Sequence, residues 1–179
     1  TQIDRCYNSG NISGNQYIGG ITGQLSLSST AANGISSITN SYNRGNITAA
    51  GNYSGGLAAQ LQASTNEYQK NAVKNSYSTG TVSGTSYSGA AFGNINNTNA
   101  VVENVYYLEG AAAAGIGDDK GEHEVISKTE AQLKAKNMID ELNGAQEDKA
   151  FGEDILDAND GYPVLVCRMG GVVLQMVDD

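Results

Sequence analysis

Apolar residues in the first hundred positions keep a fixed phase against a polar background. Ile21, Gly23 and Leu25 alternate with Thr22 and Gln24, and the same alternation returns at Leu57, Ala59 and Leu61, then at Ala91, Gly93 and Ile95. A period of two predicts short strands with one buried face. It sets Gln24, Gln60 and Asn94 on the opposite face. Ahead of each of these strands lies a second block. Cys6-Tyr7-Asn8-Ser9-Gly10-Asn11-Ile12 returns as Ser41-Tyr42-Asn43-Arg44-Gly45-Asn46-Ile47, and again as Ser76-Tyr77-Ser78-Thr79-Gly80-Thr81-Val82. The tyrosines at 7, 42 and 77 set a period of 35 residues. A fixed period of this size marks a repeat architecture, in which each copy buries its apolar face against its neighbours.

An aliphatic residue stands four positions before each of these tyrosines: Ile3, Ile38 and Val73, then Val102 before Tyr106. The last opens an incomplete fourth copy at the shorter spacing of 29 residues. Helical repeats of similar length would need runs of good helix formers, and Asn-, Ser-, Gly- and Thr-rich segments are poor ones. Tyr, Ile, Val and Thr suit a pleated surface instead. The expectation is a mainly β fold, a right-handed parallel β-solenoid of three coils plus a partial fourth. Equivalent residues then stack as Ile12/Ile47/Val82, Leu25/Leu61/Ile95 and Tyr7/Tyr42/Tyr77. Right-handedness follows the rule for parallel crossovers.

The pattern changes after residue 110. Residues 1–108 hold three acids and four bases, whereas residues 109–179 hold 16 acids and 6 bases and so account for the net charge of −9. Residues 1–110 read as the repeat region and 111–179 as an acidic α+β cap, with a separate small domain as the other reading. A helix is predicted over about 127–143, with Ala131, Ala135, Met138, Ile139 and Leu142 on one face. Ser127 with Glu130, or Thr129 with Gln132, has capping-box spacing, and Asn143-Gly144 reads as a stop. Short strands are expected at about 162–167 and 172–177, joined through Gly170-Gly171 as a hairpin.

Composition narrows the function classes. Nucleic acid is excluded as a partner because no cluster of Lys or Arg answers a phosphate backbone. No apolar run reaches the roughly 20 residues of a membrane span, so this segment inserts into no membrane. Cys6 and Cys167 form no disulfide framework, and Cys6 stands where the other copies carry Ser, which reads as a small buried position. The chain begins with Thr rather than Met and reads as a segment of a longer protein.

Beside this reading stands a resemblance. The Tyr-Asn-x-Gly-Asn-Ile block, followed by Tyr53-Ser54-Gly55-Gly56-Leu57-Ala58-Ala59-Gln60-Leu61, resembles the GLUG repeat of bacterial cell-surface proteins, whose Gly-Gly-Leu/Ile-x-Gly core is matched by Gly19-Gly20-Ile21-Thr22-Gly23. The later copies depart at Ala59 and Ala90, both small-for-small changes. Asn159-Asp160-Gly161-Tyr162-Pro163-Val164-Leu165 is similar to the segment that closes such arrays. The resemblance covers about residues 3–110 and implies a secreted or cell-wall-attached bacterial protein. Adhesins and the non-catalytic front of surface metalloproteases are the relatives it implies.

No catalytic set assembles. His123 is the one histidine, so neither a His-Glu-x-x-His zinc site nor a Ser-His-Asp or Cys-His arrangement exists. The acids of the repeats, Asp4, Glu67 and Glu103, sit at different phases. The chain is expected to be no enzyme and to need no cofactor or metal. The acidic stretch around His123 reads as a solvated loop, with a Ca²⁺ loop as the weaker reading. The candidate binding residues are two tyrosine stripes, Tyr7/Tyr42/Tyr77/Tyr106 and Tyr17/Tyr53/Tyr87. Exposed, they would offer flat faces and hydroxyls to a glycan; buried, they would only stack successive copies. A host or matrix protein or a glycan is the expected partner, with end-to-end self-association at the open strand edge of the first copy. The function expected is a non-enzymatic structural or adhesive module.

Overall fold

The computed structural model describes residues 1–27, 34–62, 68–169 and 172–176. The chain is mainly β, and its sheets are parallel wherever copy meets copy. Among the described residues, four parallel ladders run through the repeats. One joins Gln2–Asp4, Gly34–Thr39, Gln69–Ser78, Val101–Leu108 and Ile126–Lys128, with Tyr7–Asn8 and Tyr42–Asn43 along its side. A second joins Thr22–Leu25, Ala58–Leu61, Phe92–Ile95 and Ile116–Asp119. The others join Ile12–Gly14, Ile47–Ala49 and Val82–Ser83, and Ile18–Gly19, Asn52–Gly55 and Ser86–Gly89.

The predicted register holds residue by residue. Ile3 pairs with Ile38, Ile38 with Val73 and Val73 with Val102, and Tyr77 pairs with Tyr106 despite the shorter spacing. Leu25, Leu61 and Ile95 stack and are all but fully buried. They form one core with Ile38, Leu57, Val73, Phe92 and Val105.

Some expectations are corrected. The strands at 58–61 and 92–95 are buried on both faces rather than one. Their second face meets the folded-back Tyr-Ser-Gly ladder, and a Cβ at Gly93 would lie 2.6 Å from the Tyr87 carbonyl oxygen. Gln60 and Asn94 are therefore buried, and they satisfy themselves as an amide row. Gln24 Nε2 donates to Gln60 Oε1 at 2.6 Å, Gln60 Nε2 to Asn94 Oδ1 at 2.9 Å, and Asn94 Nδ2 to Asp118 Oδ2 at 2.7 Å. Burial of amides is tolerable only because each finds a partner.

The repeat ladders also run on beyond residue 110, because Ile116–Asp119 and Ile126–Lys128 extend two of them. The charge shift near 109 marks a change in surface, and the β pairing crosses it. Cys6, expected to be buried, is exposed, although its counterparts Ser41 and Ser76 are fully buried. Those serines are sandwiched between copies, with Ser41 Oγ accepting from Cys6 N–H at 3.1 Å and Ser76 Oγ from Ser41 N–H at 3.2 Å. Cys6 has such a neighbour on one side only. Both cysteines are free thiols.

The expected single helix is two, α1 at Glu130–Leu133 and α2 at Lys136–Asn143. The Thr129/Gln132 capping box is present, and Ala135 breaks the run in an extended conformation as the N-cap of α2. The reason lies in the buried residues, Leu133, Met138 and Leu142. At about 100° per residue, Leu133 and Leu142 would point to opposite sides of one continuous helix. The break turns both inward, and Ala131, expected on the buried face, is exposed. Asn143 then ties the next segment, accepting from Ala150 N–H at 2.9 Å and Phe151 N–H at 3.0 Å and donating to the Phe151 carbonyl at 2.9 Å. Val164–Met169 and Val172–Gln175 pair antiparallel, as expected of a hairpin, with Phe151–Gly152 as a third strand. The Gly170-Gly171 turn and residue 177 lie outside the described residues.

Candidate functional site: two tyrosine ladders

The repeat fixes where the tyrosines go. In a parallel ladder a residue sits directly over its equivalent, so three tyrosines in register become a stack of rings. In the first stripe Tyr7 and Tyr42 are 5.2 Å apart between ring centroids, and Tyr42 and Tyr77 are 5.0 Å apart. The turn that aims them is left-handed: Arg5, Asn40, Asn75 and Asn104, each two positions before its tyrosine, all have φ near +50°. Asn is the non-glycine residue best suited to that region, and the three asparagines bond to one another, Asn75 Nδ2 to Asn40 Oδ1 and Asn104 Nδ2 to Asn75 Oδ1.

This stripe offers no face to solvent beyond Tyr7. Tyr42, Tyr77 and Tyr106 are 2 %, 0 % and 3 % exposed. The acidic C-terminal part lies along the flank of the repeats and packs Leu133, Met138, Leu142, Ala150, Phe151 and Leu165 over these rings. Burial pushes the Tyr77 hydroxyl well above its ordinary pKa, and Tyr106, buried and next to Glu141, is pushed up to about 12. The flank is also held by charge. Arg5 pairs with Asp148, and Arg44 reaches Asn159 Oδ1 at 3.1 Å and Asp160 Oδ2 at 2.5 Å while lying 4.7 Å over the Tyr162 ring. The Asn-Asp-Gly-Tyr-Pro segment is thus a docking piece, shaped by Asp154, whose carboxylate accepts from the N–H groups of Ala158, Asn159 and Gly161.

The second stripe stays at the surface. Tyr17 and Tyr87 are each 40 % exposed, with Tyr53 between them. Their centroids are 4.7 and 4.8 Å apart and the rings are within 14° of parallel. All three have left-handed backbone, with φ of 56°, 65° and 52°. That conformation is uncommon for an aromatic residue and costs on the order of 1–3 kcal/mol. Nothing in the sequence marks it. Tyr53 has its hydroxyl pKa raised, by burial first and then by its neighbours Tyr17 and Tyr87.

His123, expected in a solvated loop, is largely buried. Its Nδ1 lies 2.7 Å from Asp119 Oδ1 and its Nε2 lies 3.1 Å from the Ala100 carbonyl oxygen, with side-chain exposures of 8 % and 16 % for His123 and Asp119. Asp119 also receives the N–H of Gly121 and of His123. Burial alone would raise the Asp119 carboxyl, but these bonds, with the imidazole, outweigh it and hold it below its ordinary value. Because Asp119 stands in register over Ile95, the pair closes the fourth-copy end of the Leu25/Leu61/Ile95 stack. The sequence reading as a solvated loop gave no weight to the spacing of four between Asp119 and His123. Among the described residues, no group of three or more His, Cys, Asp or Glu side chains is arranged to hold a metal, and no helix is long and apolar enough to cross a membrane.

No family model, curated protein or solved structure matches this chain.

Proposed function

We propose that this chain is a non-enzymatic extracellular module, structural or adhesive, of a larger bacterial surface protein, built as a right-handed parallel β-solenoid of three coils and a partial fourth. The observation that carries the reading is the pairing of each block with its equivalent in the next copy, in parallel and in register, along four ladders. Such an array extends a surface at little cost in sequence complexity. The resemblance to GLUG repeats supplies the bacterial, secreted or wall-attached setting. An acidic flank packed along three copies supports a role in stiffness, since it ties Arg5 and Arg44 of different copies to one segment. Antibody labelling of intact source cells tests the reading. Surface labelling of the parent protein is expected, and retention in the cytoplasm overturns it.

A second reading is direct glycan binding, and one observation favours it: the Tyr17/Tyr53/Tyr87 stack stays exposed at the cost of strained backbone, while the other stripe is buried. A glycan array on the chain tests this. A third, the non-catalytic part of a surface metalloprotease, requires a His-Glu-x-x-His segment elsewhere in the full-length protein, and the gene sequence decides it.

A further inference from the structure

A stack of rings has faces only at its ends. With centroids 4.7 and 4.8 Å apart, Tyr53 has both faces covered, and only the outer faces of Tyr17 and Tyr87 are open to a planar ligand. The two ends differ. Beyond Tyr87 the fourth copy takes a short cut. Val82 N–H donates to the Ala111 carbonyl and Ala90 N–H to the Ala114 carbonyl, so residues 111–114 bridge what the third copy spans with residues 82–90. As strands, Val82–Ser83 and Ser86–Gly89 consequently pair on one side only, with Ile47–Ala49 and Asn52–Gly55 respectively. The result is a ledge one strand spacing high, about 4.8 Å. Its floor is the Tyr87 ring with the edge from Ser83 to Ser86, all exposed. Its wall is the short cut, with Ala113 and Ala114 exposed, and Gly117, whose added Cβ would lie 2.6 Å from Ser88 N.

We propose that this ledge is a saccharide subsite in which a neutral sugar ring lies on the outer face of Tyr87. The inference rests on the glycan reading above and narrows it from a stripe to one terminal ring. Three observations support a neutral ligand with an apolar face and polar rim. Thr81–Tyr87 contains no charged side chain, and Asp118 at the adjoining strand is neutralised by Lys120 at 3.1 Å. The exposed edge that leads to Tyr87 carries the hydroxyls of Ser83, Thr85 and Ser86, each able to accept a hydrogen bond, with Thr85 Oγ1 donating to Asn52 Oδ1 at 2.9 Å. The left-handed Tyr87 backbone, with φ of 52°, is strain at the place where the ring is presented. The step beside Tyr87 gives that ring a wall as well as a floor, and concave sites bind small ligands better than open faces. Stacking of a second molecule is disfavoured because the fourth-copy strands at 116–119 stand at the height that its first copy would need.

The test is saturation-transfer difference NMR of the whole chain with cellotriose and with triacetylchitotriose, followed by titration on tyrosine fluorescence, which no Trp obscures. Transfer to one face of a sugar ring is expected for at least one of these probes. Tyr87→Ala should weaken binding about tenfold or more, and Tyr87→Phe, which keeps the face, by less than about threefold. Ala113→Tyr fills the ledge from its wall without touching the ladder and should abolish binding while the thermal midpoint holds. Binding lost in Tyr17→Ala but kept in Tyr87→Ala and Ala113→Tyr overturns the ledge and leaves the glycan reading standing. If neither probe binds, both the ledge and the glycan reading fall.

Discussion

The hydroxyl of Tyr77 donates to the carbonyl oxygen of Pro163 at 2.6 Å and accepts from Asn159 Nδ2 at 3.0 Å. One atom of the third copy thus fastens the C-terminal flank to the repeats. Tyr77→Phe leaves a buried amide short of one acceptor, at a cost of about 1–3 kcal/mol. The Pro163 carbonyl keeps its bond from Asn159 at 3.1 Å, so the low end is expected. Urea denaturation of the variant measures it, and an unchanged midpoint would contradict the contact.

Leu61 is fully buried between Leu25 and Ile95. Leu61→Ala should cost about 2–5 kcal/mol through the cavity it leaves. Leu61→Asp puts an unpaired carboxylate among aliphatics and should abolish the folded state. Circular dichroism with thermal melting separates the two; a well-folded Asp variant would mean that the register is wrong.

The Asp119 carboxyl is held below its ordinary value in the folded chain. A group with a depressed folded pKa stabilises above its unfolded pKa, and that contribution disappears as pH falls through the folded one. Asp119→Asn should therefore be less stable than the parent at neutral pH, and the gap should close on acidification below about pH 4. Thermal midpoints of both proteins across that window give the answer. A gap independent of pH would assign the effect to shape rather than charge.

Left-handed backbone at Tyr53, with φ of 65°, makes a further prediction that ring contacts alone do not. Both Tyr53→Asn and Tyr53→Val lose the stacking with Tyr17 and Tyr87. Asn tolerates positive φ and a β-branched residue does not, so the Val variant should be the less stable by about 1 kcal/mol or more. Equal stabilities in a chemical melt would place that residue in ordinary extended backbone.

The repeat made the ladders readable, because a residue type that returns every 35 positions has one simple explanation in parallel pairing. Ile3, Ile38, Val73 and Val102 could be assigned as neighbours without coordinates. What escaped was set by contacts between unlike parts. Whether Tyr42 or Tyr53 is covered depends on where residues 130–165 lie, and nothing in either tyrosine block records that. The split between α1 and α2 escaped for a similar reason: Ala131 and Ala135 suit a helix, and only the demand that Leu133 and Leu142 both reach the core breaks it. The link between Asp119 and His123 lay in plain view as a spacing of four, but its burial depended on the unforeseen strand at 116–119.

The amide row from Gln24 to Asp118 has a direction. Each side chain hands its N–H to the oxygen of the next copy, and a carboxylate has oxygens to receive with and no N–H to hand on. A duplication of one whole copy, placed anywhere between Gln24 and Asn94, would inherit both a giver and a taker and slot in silently. The same copy placed after Asp118 would meet an oxygen that has nothing to give. The row is thus indifferent to how many amide copies precede Asp118, while that carboxylate has no N–H for a copy beyond it.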